Sequence, residues 1–210
     1  MQTIAGTTKS LGVITFLLIL LFAISPAFSA ANSARVFVIN PAKSQMRYSF
    51  DYSLHDIKGV SHEIAGKLLL HPDGKVQMML RSAVISFKSG DSNRDVHMLE
   101  VIEGATYPYV VFKAVAQLKP EQIQINKPFT MALKGELDFH GQKHLETIPI
   151  KIQKLAITED TKKNVLTIRA KGAWSISLEK YKIERPSLMF VKLDDRCNID
   201  FDLQLEEQSP

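Results

Sequence analysis

The sequence predicts an all-β fold whose long antiparallel strands bury one face, either as a sandwich or as a closed up-and-down barrel. Three observations predict it. Beyond residue 31 the apolar residues recur at every second position rather than every third or fourth. Turn-forming stretches rich in Gly, Pro, Asp and Asn separate these runs. A single stretch, Ser92–Glu103, breaks the alternation with a helical pattern.

The first 31 residues differ from everything after them. Lys9 is their only charge, Leu11–Ile24 is an apolar run of 14 residues, and Ser25-Pro26 lead into the small-residue string AFSAANSA. About 20 apolar residues are needed to cross a bilayer, so this layout predicts a secretory signal peptide over 1–31, cleaved near Ser29–Ala34. The domain is then 32–210, and the expected location periplasmic or secreted. A helix prolonged through Phe28 would reach across a membrane, which leaves an uncleaved anchor as the alternative.

Met46, Tyr48, Phe50, Tyr52 and Leu54 alternate with Arg47, Ser49, Asp51 and Ser53, the pattern of a half-buried strand. Weaker alternation covers Ile64–Leu70 and Val76–Phe87, joined by the turn HPDG at His71–Gly74. In Ser92–Glu103, Ser92 with Asp95 three residues on resembles a capping box, and Gly104 stands where a helix C-terminus favours glycine. At 100° per residue Met98, Val101 and Ile102 share an arc with Arg94 and Asp95, while His97 lies on its flank and Glu100 and Glu103 point away. This predicts a docked helix whose Arg94 and Asp95 pair with each other, partly buried.

Val110–Leu118 follows, then Phe129–Phe139, the turn HGQK at His140–Lys143, and Ile148–Ile157, where a phase slip near Gln153-Lys154 predicts a β-bulge. After TEDTKKN (Thr158–Asn164), alternation returns at Leu166–Ile176 and Ile199–Leu205. Short connections make neighbouring strands antiparallel, and closure removes the exposed edges.

A barrel of about eight strands is either just filled by side chains or holds one small ligand. Gly66, Gly135, Gly172, Ala114, Ala116 and Ala170 fall on inward phases and predict open space there. The larger inward residues, Met46, Tyr48, Phe50, Phe129, Met131, Leu133, Leu137, Trp174 and Phe201, are the candidate ligand-binding wall. A fully packed interior is the alternative.

Without residues 1–31 the chain has 25 Lys and Arg against 22 Asp and Glu, a scattered net charge of +3. No basic run with interleaved aromatics occurs, which argues against nucleic acid. Cys197 is the only cysteine, so there is no internal disulfide and no N-terminal lipid-modified cysteine. His55, His62, His97, His140 and His144 show no strong metal-ligand spacing, and His140 and His144 are expected to bracket a hairpin turn in solvent. No nucleophile or second acid–base group lies beside Asp95 and His97. The expectation is no catalytic residue, no metal and no cofactor.

Three segments in this order resemble the YceI-like family of exported lipid-binding proteins: SGDSNRDVHMLEVIEGATYPYVVF, LKGELDFHGQKHLETIPIKI and ISLEKYKIERPSLMFVKLDDRCNIDFDLQL. The resemblance runs from Val36 to Leu205. It implies an elongated, lipocalin-like antiparallel β-barrel with one short α-helix near its mouth and an apolar tunnel for a polyisoprenoid or similar amphiphile. It places Arg94, Asp95, His97 and Met98 in the helix at the mouth, and Tyr107-Pro108 in the turn after it. The chain departs from the family pattern in a shorter His97–Tyr107 segment and in Gly141-Gln142-Lys143-His144-Leu145 after the hairpin histidine.

The function expected is that of a non-enzymatic carrier or sequestering protein for one long-chain amphiphile, with transient membrane contact and a homodimer both compatible. The rivals are a metal-dependent or histidine-based enzyme at the barrel mouth, and an interaction module with a filled barrel.

Overall fold

The computed structural model of the chain describes residues 34–50, 57–158, 164–188 and 191–208. Both the predicted signal peptide and Tyr52–Leu54 lie outside them. The strands are β1 (Arg35–Ile39), β2 (Gln45–Phe50), β3 (Ile57–Ser61), β4 (Ile64–Leu70), β5 (Lys75–Ala83), β6 (Tyr109–Gln117), β7 (Phe129–Phe139), β8 (Gln142–Thr158), β9 (Asn164–Ser177), β10 (Ser187–Leu188), β11 (Val191–Lys192) and β12 (Arg196–Glu207). The helix α1 spans Ser92–Val101, between β5 and β6.

The main sheet runs β1-β4-β5-β6-β7-β8-β9-β12, and β1 also pairs with β12, so eight antiparallel strands close into a barrel. β2 continues along the edge of β12 where β1 leaves it, and β3 pairs with β2. A 3-10 turn at Pro41–Lys43 separates β1 from β2. Residues 40–44 stand there against only Leu203 and Gln204 of β12, because Ile39 pairs with Leu205 and Gln45 with Asp202. The edge of β3 is occupied by Lys88, through reciprocal 2.9 Å bonds between the backbone N–H and C=O of Val60 and Lys88. That contact ties the approach to α1 onto the sheet.

Alternation produces the core directly, since inward positions of neighbouring strands face each other across the ladder. Leu133, Leu137, Ile148, Ile150, Ile176 and Tyr48 are buried around one centre, and Phe37, Ile64, Leu80, Ile168, Leu203 and Leu205 around another.

Three expectations fail in this framework. β8 pairs with β9 in unbroken register from Ile150 opposite Gly172 to Thr158 opposite Asn164, so no bulge forms near Gln153-Lys154. The apolar pattern slips but the backbone does not, and Lys154 stays in the inward phase, opposite buried Ile168. The glycines do not leave open space either: a Cβ at Gly135 would come within 2.4 Å of the Phe112 ring, one at Gly66 within 2.5 Å of Leu80, and one at Gly172 within 2.6 Å of the Phe201 ring. Their room is already taken by larger neighbours. Finally, Val76–Phe87 is not one strand, because β5 ends at Ala83 and Val84–Ser86 form a 3-10 turn.

Candidate functional site

Antiparallel order collects three connections at one end of the barrel: the β5–β6 segment carrying α1, the β7–β8 hairpin, and the β9–β12 segment. Asp91, rather than Ser92, caps α1, its carboxylate accepting from the backbone N–H of Asn93 at 2.9 Å and of Arg94 at 3.1 Å. The helix terminates through Glu103, which takes the left-handed conformation (φ 48°) expected of Gly104, while the Gly104 N–H donates to Leu99 O at 2.8 Å.

Asp95 is the one buried residue of α1, and Met98, Val101 and Ile102 pack behind it onto the core. The face predicted by the helical period is therefore the docked one. The expected Arg94–Asp95 pair does not form. Asp95 accepts from the Ser89 backbone N–H at 2.8 Å and the Ser89 hydroxyl at 2.6 Å. Arg94 instead lies 3.8 Å from the Asp91 carboxylate, a loose pair at the surface. The hydrogen bonds from Ser89 hold the Asp95 carboxyl below its usual range. His97 is exposed and 3.5 Å from Glu100.

Beneath α1 the barrel encloses an apolar cavity of about 200 Å³. Met46, Tyr48 and Phe50 from β2, Leu133 and Leu137 from β7, Trp174 from β9 and Phe201 from β12 all line it, with Met98 of α1 and Ile102 just past its C-terminus above. Phe129 and Met131 line a second chamber of about 60 Å³ at the opposite end. Met78, Leu133, Ile152 and Ile168 are common to both walls, so only side chains separate the chambers.

Apart from Arg81 and Ser82, the wall of the larger cavity consists of hydrocarbon, aromatic and sulfur-bearing side chains. Ser82 is occupied by Glu63 O at 3.2 Å and by Ser61 and Ser86, each 3.5 Å away. Burial pushes the Cys197 thiol up to about 12, and burial followed by the Asp95 charge pushes the Tyr48 phenol up to about 12. Both stay protonated at neutral pH, so neither is poised as a nucleophile. The arrangement can hold an apolar body.

Sequence reasoning missed a polar clamp at the mouth. His140 was expected in solvent, yet it is buried, its Nδ1 2.9 Å from Tyr181 O and its ring 4.6 Å from that of Tyr107. Its Nε2 lies 3.3 Å from the Glu103 carboxylate at the end of α1. His144 Nε2 is 2.9 Å from Lys180 O, while fully buried Tyr181 donates to Glu146 at 2.8 Å and Lys180 pairs with the same carboxylate at 2.6 Å. Burial, then the Glu146 hydrogen bond, raise the Tyr181 phenol far above its usual range. The only signal in the chain was the His-x-x-x-His spacing itself, because Tyr181 joins the hairpin from a distant segment. Among the described residues no group of three or more His, Cys, Asp or Glu side chains is placed to hold a metal ion.

Comparison with known proteins follows the same lines. The profile of the YceI-like domain family matches residues 37–205. No curated protein matches the chain. Among solved structures, a polyisoprenoid-binding domain from Saccharophagus degradans, implicated in plant cell wall breakdown, superposes with a TM-score of 0.61 at 13% identity, covering 82% of this chain and 98% of its own. BcnA of Burkholderia cenocepacia gives 0.59 at 19% identity, covering 79% and 98%. The YceI protein of Campylobacter jejuni gives 0.59 at 13% identity, covering 76% and 90%. At these identities the structural likeness establishes the fold.

Proposed function

The chain belongs to the YceI-like domain family, and from that premise we propose that it is an exported, non-enzymatic carrier holding one isoprenoid-type or fatty amphiphile inside its barrel. The observation that carries this reading is the apolar cavity under α1, whose wall includes Met46, Tyr48, Phe50, Leu133, Leu137, Trp174 and Phe201. Each methylene transferred from water into such a wall contributes about 0.8 kcal/mol, so ten of them outweigh a moderate cost of association and ordering. The cavity is smaller than the roughly 300–1,000 Å³ of most small-molecule sites. A long chain therefore has to displace the flexible methionines Met46, Met78 and Met98 and join the two chambers.

Export rests on the layout of residues 1–31, which precede the family match at residue 37. Transient contact with an anionic bilayer is supported by the outer face of β4–β8, where exposed Met79, Val115 and Leu145 stand beside Lys67, Lys113 and Lys134.

Mass spectrometry of an organic extract of the natively expressed protein tests the reading. A stoichiometric long-chain lipid is the expected result. Absence of any lipid, together with no change in Trp174 fluorescence on adding a long-chain quinone or prenol, would overturn it. N-terminal sequencing of the mature protein tests export: the expected first residue falls between 30 and 34, and an intact Met1 would refute cleavage.

A further inference from the structure

Resting on the tunnel reading, we propose that His140 and Glu103 form a proton-operated latch over the barrel mouth. It holds the end of α1 down when the imidazole is protonated and lets it lift when the imidazole is neutral. The amphiphile is then retained in acid and exchanged more readily as pH rises.

The His140 ring is set between two acceptors. Nδ1 stands 2.9 Å from Tyr181 O, a carbonyl that can only accept, so Nδ1 carries the proton of the neutral ring. Nε2 then presents a lone pair; it is buried and makes no hydrogen bond, although the Glu103 carboxylate is 3.3 Å away. A carboxylate has no proton to give. A second proton on the ring turns this meeting of two acceptors into a charge-assisted contact, weakened only on the Glu103 side, which is half exposed. Glu103 follows Met98 and Ile102, which cover the larger cavity, so whatever holds Glu103 holds the cover.

The backbone marks the same place. Of the four non-glycine residues with left-handed backbone among the described residues, three meet here: Glu103 (φ 48°), His140 (φ 51°) and Lys182 (φ 55°), which follows Tyr181. Each of the three connections at the mouth contributes one. Such conformations persist where the surroundings impose them, and they gather at switches. The other titratable groups around the ring have partners of their own. Tyr107 lays its ring 4.6 Å from that of His140, and His144 faces Lys180 O. Glu146 is taken by Lys180 and Tyr181, Asp138 stands 3.8 Å from Lys143, and Glu100 lies 3.5 Å from His97. The Lys182 side chain is exposed.

The test loads the delipidated mature protein with geranylgeraniol, which is uncharged throughout, and mixes it with excess phosphatidylcholine vesicles. Trp174, the only tryptophan, follows release by fluorescence at about pH 5.5 and about pH 8, near the two ends of the histidine range. Release is expected to be about fivefold slower in acid, as a partly exposed charged contact supplies. In His140→Asn the amide still reaches Tyr181 O and accepts the left-handed backbone, but nothing replaces Nε2, so release should be fast at both pH values. In Glu103→Gln the amide can donate to the neutral ring or accept from the protonated one, so release should be slow at both. A merely structural role would not move the two variants in opposite directions. Should His140→Asn fail to fold, Glu103→Ala takes its place with the same fast release expected. Equal release at both pH values in the wild type, or a pH dependence that survives His140→Asn or Glu103→Ala, would overturn the latch alone. If geranylgeraniol binds at neither pH, the tunnel reading falls, and hydrogen exchange of the Leu99 to Gly104 amides decides the latch. Corrected for intrinsic rates, their protection should rise in acid in the wild type and not in the neutralised variant, and no rise would overturn it.

Discussion

Asp95 is held by hydrogen bonds from a single residue, Ser89, six positions earlier, and so fastens the segment before α1 to the helix it introduces. Replacing it with Ala leaves the Ser89 N–H without its acceptor and is expected to cost about 1–3 kcal/mol in urea denaturation at pH 7. The pH dependence has a definite sign. The folded-state pKa is depressed, so the contribution is complete above the unfolded value of about 3.9 and is lost as pH falls through the lower folded value. The gap between wild type and Asp95→Ala should therefore narrow in acid, and a gap that widened there would contradict this account. The helical period placed Asp95 on the docked face correctly but gave it the wrong partner. Adjacent residues on a helix do not face each other, whereas Arg94 can reach back three positions to Asp91. Ser89 was invisible because it precedes the helix, where periodicity no longer orders the side chains.

Strands announced themselves wherever one face is apolar over six or more residues, as in β7 and β9, because a period of two has no other explanation. β1 and β3, five residues each, were too short to show it. In β8 the apolar pattern shifts after Ile152, where the ladder with β7 ends, while the ladder with β9 runs unbroken through Gln153 and Lys154 and holds the backbone register. A lysine in an inward phase is thus where pattern and ladder disagree. Gly135 shows how closely these elements fit: a methyl group there would meet both the Phe112 ring at 2.4 Å and Lys113 O at 2.6 Å. Gly135→Ala is expected to lower the unfolding free energy by about 1–3 kcal/mol, measurable by chemical denaturation, and Phe112→Leu in the same chain should recover only the part owed to the ring. At the mouth, Tyr181→Phe removes one donor but leaves Glu146 paired with Lys180. Its expected cost is about 0.5–1.5 kcal/mol, and a loss well above that would mean the phenol does more than secure the β9–β12 segment.

Length and alternation narrowed the fold to a sandwich or a closed barrel, and the family resemblance implied the barrel, but the volume inside it was legible in neither. Whether small residues leave a void depends on which large neighbours lean over them, and Phe112, Leu80 and Phe201 do so at three of the predicted gaps. What remains open lies beside Ala170, Trp174 and the methionines, in a cavity shaped by packing between strands far apart in sequence. Filling it separates binding from folding. Ala170→Phe adds a ring to the cavity wall and takes the place of two or three ligand methylenes, which at about 0.8 kcal/mol each amounts to roughly 2 kcal/mol, a weakening of about thirtyfold. The same ring covers apolar wall in the empty protein, so the delipidated variant should melt within a few degrees of the delipidated wild type. A ligand present at a hundred times its Kd stabilises its host by about 2.7 kcal/mol. The wild type should therefore gain several degrees in melting temperature on loading, and Ala170→Phe much less at the same ligand concentration. A variant that gained as much as the wild type would show that the ligand sits elsewhere than in this cavity.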